Sequence, residues 1–252
     1  MAYRRPITEH HERAHRLQTL AARISGLFLL ALMLGLAFVF ADRSIPPQHL
    51  PWKPLRLSDP VGVATGPKVS YAAGNPEVCR EVLRKGGVGF SNLPDRTEGG
   101  FCAIRNSLVI SSGLPPLKPA PAVMSCQQAL AYSLWVRQVV QPAAKQLLGA
   151  EVASIDQYGT YVCRRIYGSK DEADRVSQHA YANALDVGGF TLTDGRRIVV
   201  EKDWRSAGPE GAFLHRVRDE GCGVFRLALS PDYNAAHYNH LHFDMGPYAM
   251  CR

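Results

Sequence analysis

Residues Ile24 to Ala41 run for 18 positions without a charge, ISGLFLLALMLGLAFVFA, and that run constrains everything around it. Eighteen apolar residues is about the shortest helix that crosses a bilayer. Arg4, Arg5, Arg13, Arg16 and Arg23 precede it, and a basic flank keeps the N-terminus cytoplasmic while the remainder crosses. The expected organisation is a cytoplasmic tail (1–23), a transmembrane anchor (24–41), a proline-rich linker (42–70) and one exported domain (71–252). A cleaved signal peptide is the competing reading. The long charged segment in front and the Phe40-Ala41 end, a poor small-x-small cleavage site, favour the anchor. The expected location is an inner membrane crossed once, with the C-terminal domain in the periplasm.

All six cysteines (Cys79, Cys102, Cys126, Cys163, Cys222, Cys251) follow the apolar run. An even number on the exported side reads as up to three disulfides in an oxidising compartment. No pair is spaced C-x-x-C, which argues against a zinc knuckle or a thioredoxin-type site. Six cysteines allow fifteen pairings; pairing of neighbours is the expectation, Cys79 with Cys102, Cys126 with Cys163 and Cys222 with Cys251. Formal net charge is +7, of which the tail accounts for +3. The remaining bias suits an anionic polymer such as cell wall and is too weak to argue for nucleic acid.

Local patterns give an α+β domain, an antiparallel sheet with flanking helices. Asn75 and Pro76 start a short helix to Leu83, and residues 107–111 suggest a strand. Ser125 caps a helix from Cys126 to about Leu148, which Pro142 should kink and Gly149 should end. Val152–Tyr158 and Thr160–Ile166 are β-rich. Residues 182–190 and 196–201 read as a hairpin, 210–220 as a helix, and 241–245 as a last strand. Prolines 46, 47, 51, 54, 60 and 67 make 42–70 an extended, semi-rigid spacer. His10, His11 and His15 in the tail read as incidental, solvated histidines, and Trp204 as packing.

The chemistry concentrates in two segments. Ser177–Asp186 (SQHAYANALD) offers His179 and Asp186, with small Ala182 and Ala184 leaving room between them. His237–Asp244 (HYNHLHFD) places three histidines within six residues. His240 and His242, two apart, share a face if the segment is a strand. Two imidazoles and a carboxylate are a usual donor set for catalytic zinc, which keeps three protein ligands and leaves one position open. Set against this, His179 with Asp186 is also what an ordinary hydrogen-bonded pair looks like, and Asp244 is either a group that orients a ligand or plain surface.

Ser177, His179, Ala184 and Asp186 resemble the S-x-H-x-x-G-x-A-x-D motif of zinc D-Ala-D-Ala peptidases and their hedgehog-fold relatives, with Ala182 in place of the glycine. His237, His240 and His242 resemble the H-x-x-H-x-H arrangement of penicillin-insensitive murein endopeptidases. From Cys79 to Arg252 the chain resembles the extensin-like protein C-terminal domain. The shared pieces are Tyr161-Val162-Cys163-Arg164, Ser177-x-His179-Ala180, Asp186, Trp204, Phe213-Leu214, Cys222, Pro231-Asp232-Tyr233-Asn234, the histidine segment and Cys251-Arg252.

The resemblance implies a hedgehog-type zinc peptidase fold. It makes His179, Asp186 and His242 the ligands of one zinc ion, and His240 the general base. Arg164 would stabilise the oxyanion, with Arg165 as the rival, and His237 would contact substrate. The acidic residue that carboxypeptidases of this superfamily carry three before the last ligand is here Asn239, which points to an endopeptidase-like arrangement. The expected function is zinc-dependent hydrolysis of peptide bonds in peptidoglycan cross-links, with a peptide stem as substrate and a possible regulatory envelope protein as partner. The alternatives are a non-catalytic, metal-containing module that binds the cell envelope and, more remotely, a periplasmic metal carrier.

Overall fold

A computed structural model describes residues 7–166 and 175–252; Arg4 and Arg5 of the tail lie outside the described residues. The chain divides into two compact units, residues 1–46 and 47–252. The first is one helix, α1 (Ile7–Ser44). Its apolar part is long enough to cross a membrane and is fully exposed within the chain. Helix begins well before Ile24 because residues 7–23 contain no glycine or proline and are rich in Ala, Leu, Arg and Glu, all good helix formers.

The second unit starts earlier than its composition suggests. Leu50 and Leu57 are buried, and Leu57 belongs to the main core. Gln138 donates to the Leu57 carbonyl at 2.8 Å, and residues Thr65–Ala73 form helix α2. The stretch 42–70 was expected as an extended spacer, yet from Pro47 onward it packs into the domain. Prolines exclude regular ladders there, but apolar side chains between them still seek the core.

Helix α3 (Pro76–Lys85) begins as its sequence indicates, with Asn75 accepting from the Glu77 and Val78 N–H groups. Strands β1 (Gly89–Asn92), β2 (Arg96–Glu98), β3 (Cys102–Ile104), β4 (Ser107–Ser112), β5 (Leu117–Lys118) and β6 (Val123–Ser125) follow. β1, β4 and β6 make a small sheet, and β2 with β3 a separate hairpin. Ser125 then caps α4 (Cys126–Trp135) by accepting from the Gln128 N–H. A π-helical turn (Val136–Val140) precedes α5 (Gln141–Leu148). Proline at 142 has no N–H to donate and its ring crowds the carbonyl four residues back, so the helix widens just before it. Gly149 ends the helix in the left-handed region at φ 70°.

The main sheet comprises β5 with β7 (Val152–Gly159), β8 (Ala184–Leu192), β9 (Arg197–Val199), β10 (Leu227–Leu229), β11 (Leu241–Asp244) and β12 (Met250–Cys251). Helices α6 (Val200–Asp203) and α7 (Pro209–Gly221) lie between β9 and β10 in sequence. The spatial order is β12-β10-β11-β8-β7-β5, with β9 also paired to β8. The central pairings are antiparallel, but β5–β7 and β10–β12 at the edges are parallel. One face packs on Trp135, whose ring lies 4.9 Å from Phe243 and 6.1 Å from Phe190 between centroids. Its indole N–H donates to the Val217 carbonyl at 2.8 Å, tying α4 to α7.

Two further expectations fail. Thr160–Ile166 is not a strand; it makes one isolated bridge, Arg165 to Val176, and a few backbone hydrogen bonds to residues 175–179. Its residues favour strand, but its bonds to that neighbour are too few and irregular for a ladder, and propensity yields to context. The disulfides are Cys79–Cys126, Cys102–Cys163 and Cys222–Cys251, so only the last neighbour pairing stands. Cys79 faces inward on α3 toward the start of α4, while Cys102 on the β2–β3 hairpin meets the segment that leaves β7.

Candidate metal centre

The outer face of β8 and β11 carries the site. Asp186 and His242 are direct partners in the β8–β11 ladder, while Leu185, Val187, Leu241 and Phe243 on the opposite face are buried in the core. Register alone therefore fixes which two polar groups meet. His179 comes from a short 3₁₀ turn, Gln178–Tyr181. The Ser177 hydroxyl accepts from the His179 N–H at its start, and Ala182, at φ 51°, closes it. That left-handed residue is where the resembling motif has glycine, the type that adopts such a conformation without strain. Ser125 secures the turn, its N–H donating to the Ala182 carbonyl and its hydroxyl to Asn183 Oδ1, both at 2.7 Å.

His179, Asp186 and His242 present donor atoms that all lie within 4.8 Å of one another. His179 Nε2 is 3.2 Å from Asp186 Oδ2, His242 Nδ1 is 2.7 Å from Asp186 Oδ1, and the two ring nitrogens are 3.4 Å apart. A tetrahedron with 2.0–2.1 Å bonds has edges of about 3.3 Å, so two of the three separations already fit. His242 Nε2 is 3.1 Å from Asp244 Oδ2, and Asp244 Oδ1 accepts from the Gly246 N–H at 2.8 Å. A carboxylate behind a ligating imidazole fixes the ring and its tautomer. Asp244 is buried, so the surface reading of that residue falls away. His179 Nδ1 is buried with no hydrogen-bond partner among the described residues.

Electrostatics follow the packing. Burial pushes the Asp186 carboxyl up, but hydrogen bonds from His179 and His242 overcome it and hold it well below the usual range. Burial pushes His242 down, and its bonds to Asp186 and Asp244 reverse that, raising it to about 9. The metal-free site therefore keeps an imidazolium between two carboxylates at neutral pH.

His240 lies beside this group, its Nε2 3.5 Å from Asp186 Oδ1. Asn239 Oδ1 sits 2.9 Å from His240 Nδ1. With the amide oxygen accepting there, Nε2 is the basic nitrogen. His237 is oriented the same way by Asn234 Oδ1 at 2.7 Å, and its ring lies 5.1 Å from His240 and 5.8 Å from His242. Burial lowers the pKa of His240 and takes that of His237 down to about 4, with the neighbouring imidazoles and Arg164 adding to the effect. Arg164 thus lies close enough to be felt by both rings. Arg165 instead places its guanidinium over the Phe101 ring at 4.9 Å. Trp204 is buried and donates to Asp232 Oδ2 at 2.8 Å, so it packs and braces the loop before His237.

Sequence reasoning gave Asn234 no role and missed Tyr158. The second lies edge-on to His240, with ring centroids 6.2 Å apart. The signal for it was the Gly188-Gly189 pair inside a strand, a mark of a bulge or a close approach.

The family model for the extensin-like protein C-terminus matches residues 77–252. The chain belongs to that family. Comparison with curated proteins and with solved structures returns no match.

Proposed function

We propose that this chain is a membrane-anchored zinc amidohydrolase that cuts peptide cross-links of peptidoglycan, and that its fold is of the hedgehog-type zinc peptidase class. The observation that carries the reading is the convergence of His179, Asp186 and His242 with Asp244 behind one imidazole and His240 beside them. On this reading those three residues hold the ion. Bound there, zinc would activate water and polarise an amide carbonyl. His240, unprotonated at neutral pH and with Nε2 turned inward, takes the proton and returns it to the leaving amine. Arg164 supplies positive charge where the oxyanion develops, and His237 contacts substrate. Asn239 holds a proton on His240 Nδ1 and takes no part as an acid, which favours an endopeptidase. α1 anchors the chain in the inner membrane, and its basic N-terminal half favours a cytoplasmic N-terminus with the domain in the periplasm. The three disulfides agree with that side.

The test is metal content of the full chain in detergent, wild type against His179→Ala and Asp186→Ala, followed by digestion of purified sacculi. About one zinc per chain, lost in both variants, with new amines released from sacculi by wild type and not by His240→Ala, supports the proposal. A folded wild type that takes up no zinc removes it. Zinc uptake without amine release leaves the envelope-binding module as the better account.

A further inference from the structure

The β7–β8 pairing breaks register twice beside the site. Asp156 pairs with Gly189 and Gln157 with Val187, so Gly188 has no partner on β7. Gly159 then pairs with Asp186, so Tyr158 has no partner on β8. The two unpaired residues meet. A Cβ built on Gly188 would come within 2.4 Å of Tyr158 Cζ and 2.7 Å of its hydroxyl oxygen. The tyrosine ring therefore lies against bare backbone, edge-on to His240, and is 55% exposed.

Bulges of this kind re-aim side chains next to active sites. The first one lets Asp186 face outward while Phe190 in the same strand faces the core. The second turns an aromatic ring out beside a histidine that faces the metal ligands. A large ring left half in solvent adds little to the core. Its open face can cover apolar and amide groups of an extended ligand, the contact at which aromatic side chains contribute most.

We infer that Tyr158 is a substrate-contacting residue, the wall against which the peptide stem lies as its scissile amide reaches His240. Gly188 is the position that makes room for that wall. The inference rests on the peptidase reading above. The contact is through the ring, so Tyr158→Phe retains it and Tyr158→Ala removes it. Gly188→Ala displaces the ring and acts through Tyr158.

The experiment uses the zinc-loaded full chain and purified cross-linked disaccharide-peptide dimers, with cleavage kinetics and calorimetric binding of the same fragments measured in parallel. Expected are a KM about tenfold higher for Tyr158→Ala with kcat within about threefold, and Tyr158→Phe within about twofold of wild type. Gly188→Ala should raise KM, and the double variant should be no worse than Tyr158→Ala alone. Zinc content should stay at the wild-type level throughout. Cleavage by wild type with unchanged KM in Tyr158→Ala overturns the inference and leaves the peptidase reading standing. Binding without cleavage, lost in Tyr158→Ala, removes the peptidase reading and keeps the ligand wall. Neither binding nor cleavage by wild type removes both.

Discussion

The proposed metal ligands and the groups that surround them are held in different ways. Asp186 and His242 are neighbours because two strands pair in one register, and a slip of one residue would turn one of them into the core. Arg164 sits on an irregular segment that meets residues 175–179 through three backbone hydrogen bonds and one bridge, its own carbonyl accepting from the Ser177 N–H at 3.2 Å. It is tied by the Cys102–Cys163 disulfide one residue earlier and by Tyr161, whose hydroxyl donates to Glu98 at 2.9 Å. His237 depends on a loop fixed by Asn234 and by the Trp204–Asp232 bond. Strand register therefore secures Asp186 and His242, while the periphery relies more on side-chain bonds, loop contacts and a disulfide. The two should fail separately.

Opening the covalent tie is the strongest test of that separation. Replacing Cys102 and Cys163 together by serine should cost about 2–4 kcal/mol of stability. On the proposed activity it should also depress sacculus hydrolysis by loosening the Arg164 segment, yet leave zinc stoichiometry intact; denaturation, sacculus digestion and metal analysis check the three. Loss of metal in that variant would show the periphery and the donor set to be one unit.

The donor set answers to pH instead. His242 must lose its proton to ligate, so apparent zinc affinity should rise about tenfold per pH unit up to about 9. In the metal-free chain the same raised value gives the opposite trend. The stabilisation is fully present below the unfolded value of about 6.5 and is lost as pH rises through about 9. Competition titrations and melting curves across pH 6–10 read the two trends, and a flat affinity would break the assignment of His242 as a ligand.

Asp244→Asn keeps the shape behind His242 and removes the charge. A loss of zinc affinity of about tenfold or more is expected, measured by chelator competition. Smallest is Asn75→Ala, remote from both regions. It should cost about 1 kcal/mol through the lost cap of α3 and leave metal uptake and hydrolysis unchanged.

What could be read from the sequence follows the same division. The spacing of His240 and His242, the small residues before Asp186 and the caps at Asn75 and Ser125 are local signals, and each led to a residue at the right place. The disulfide partners of Cys79 and Cys102 depend on which distant segments come together, which spacing does not encode. The segment after Gly159 has strand-forming residues, but among the described residues its pairing with 175–179 amounts to one bridge and a few backbone bonds. Tyr158 looked like one more strand residue because a bulge is a property of two strands at once. Leu57 was hidden among prolines that argue for an extended chain.

The Cys102–Cys163 bridge closes across a separation of 61 residues and ends next to Arg164. While its thiols are reduced, nothing covalent holds that arginine near the histidines. The bridge forms only where thiols are oxidised, so the periphery of the site is completed only in an oxidising compartment. A chain whose thiols are still reduced carries its histidines but lacks the covalent brace beside Arg164.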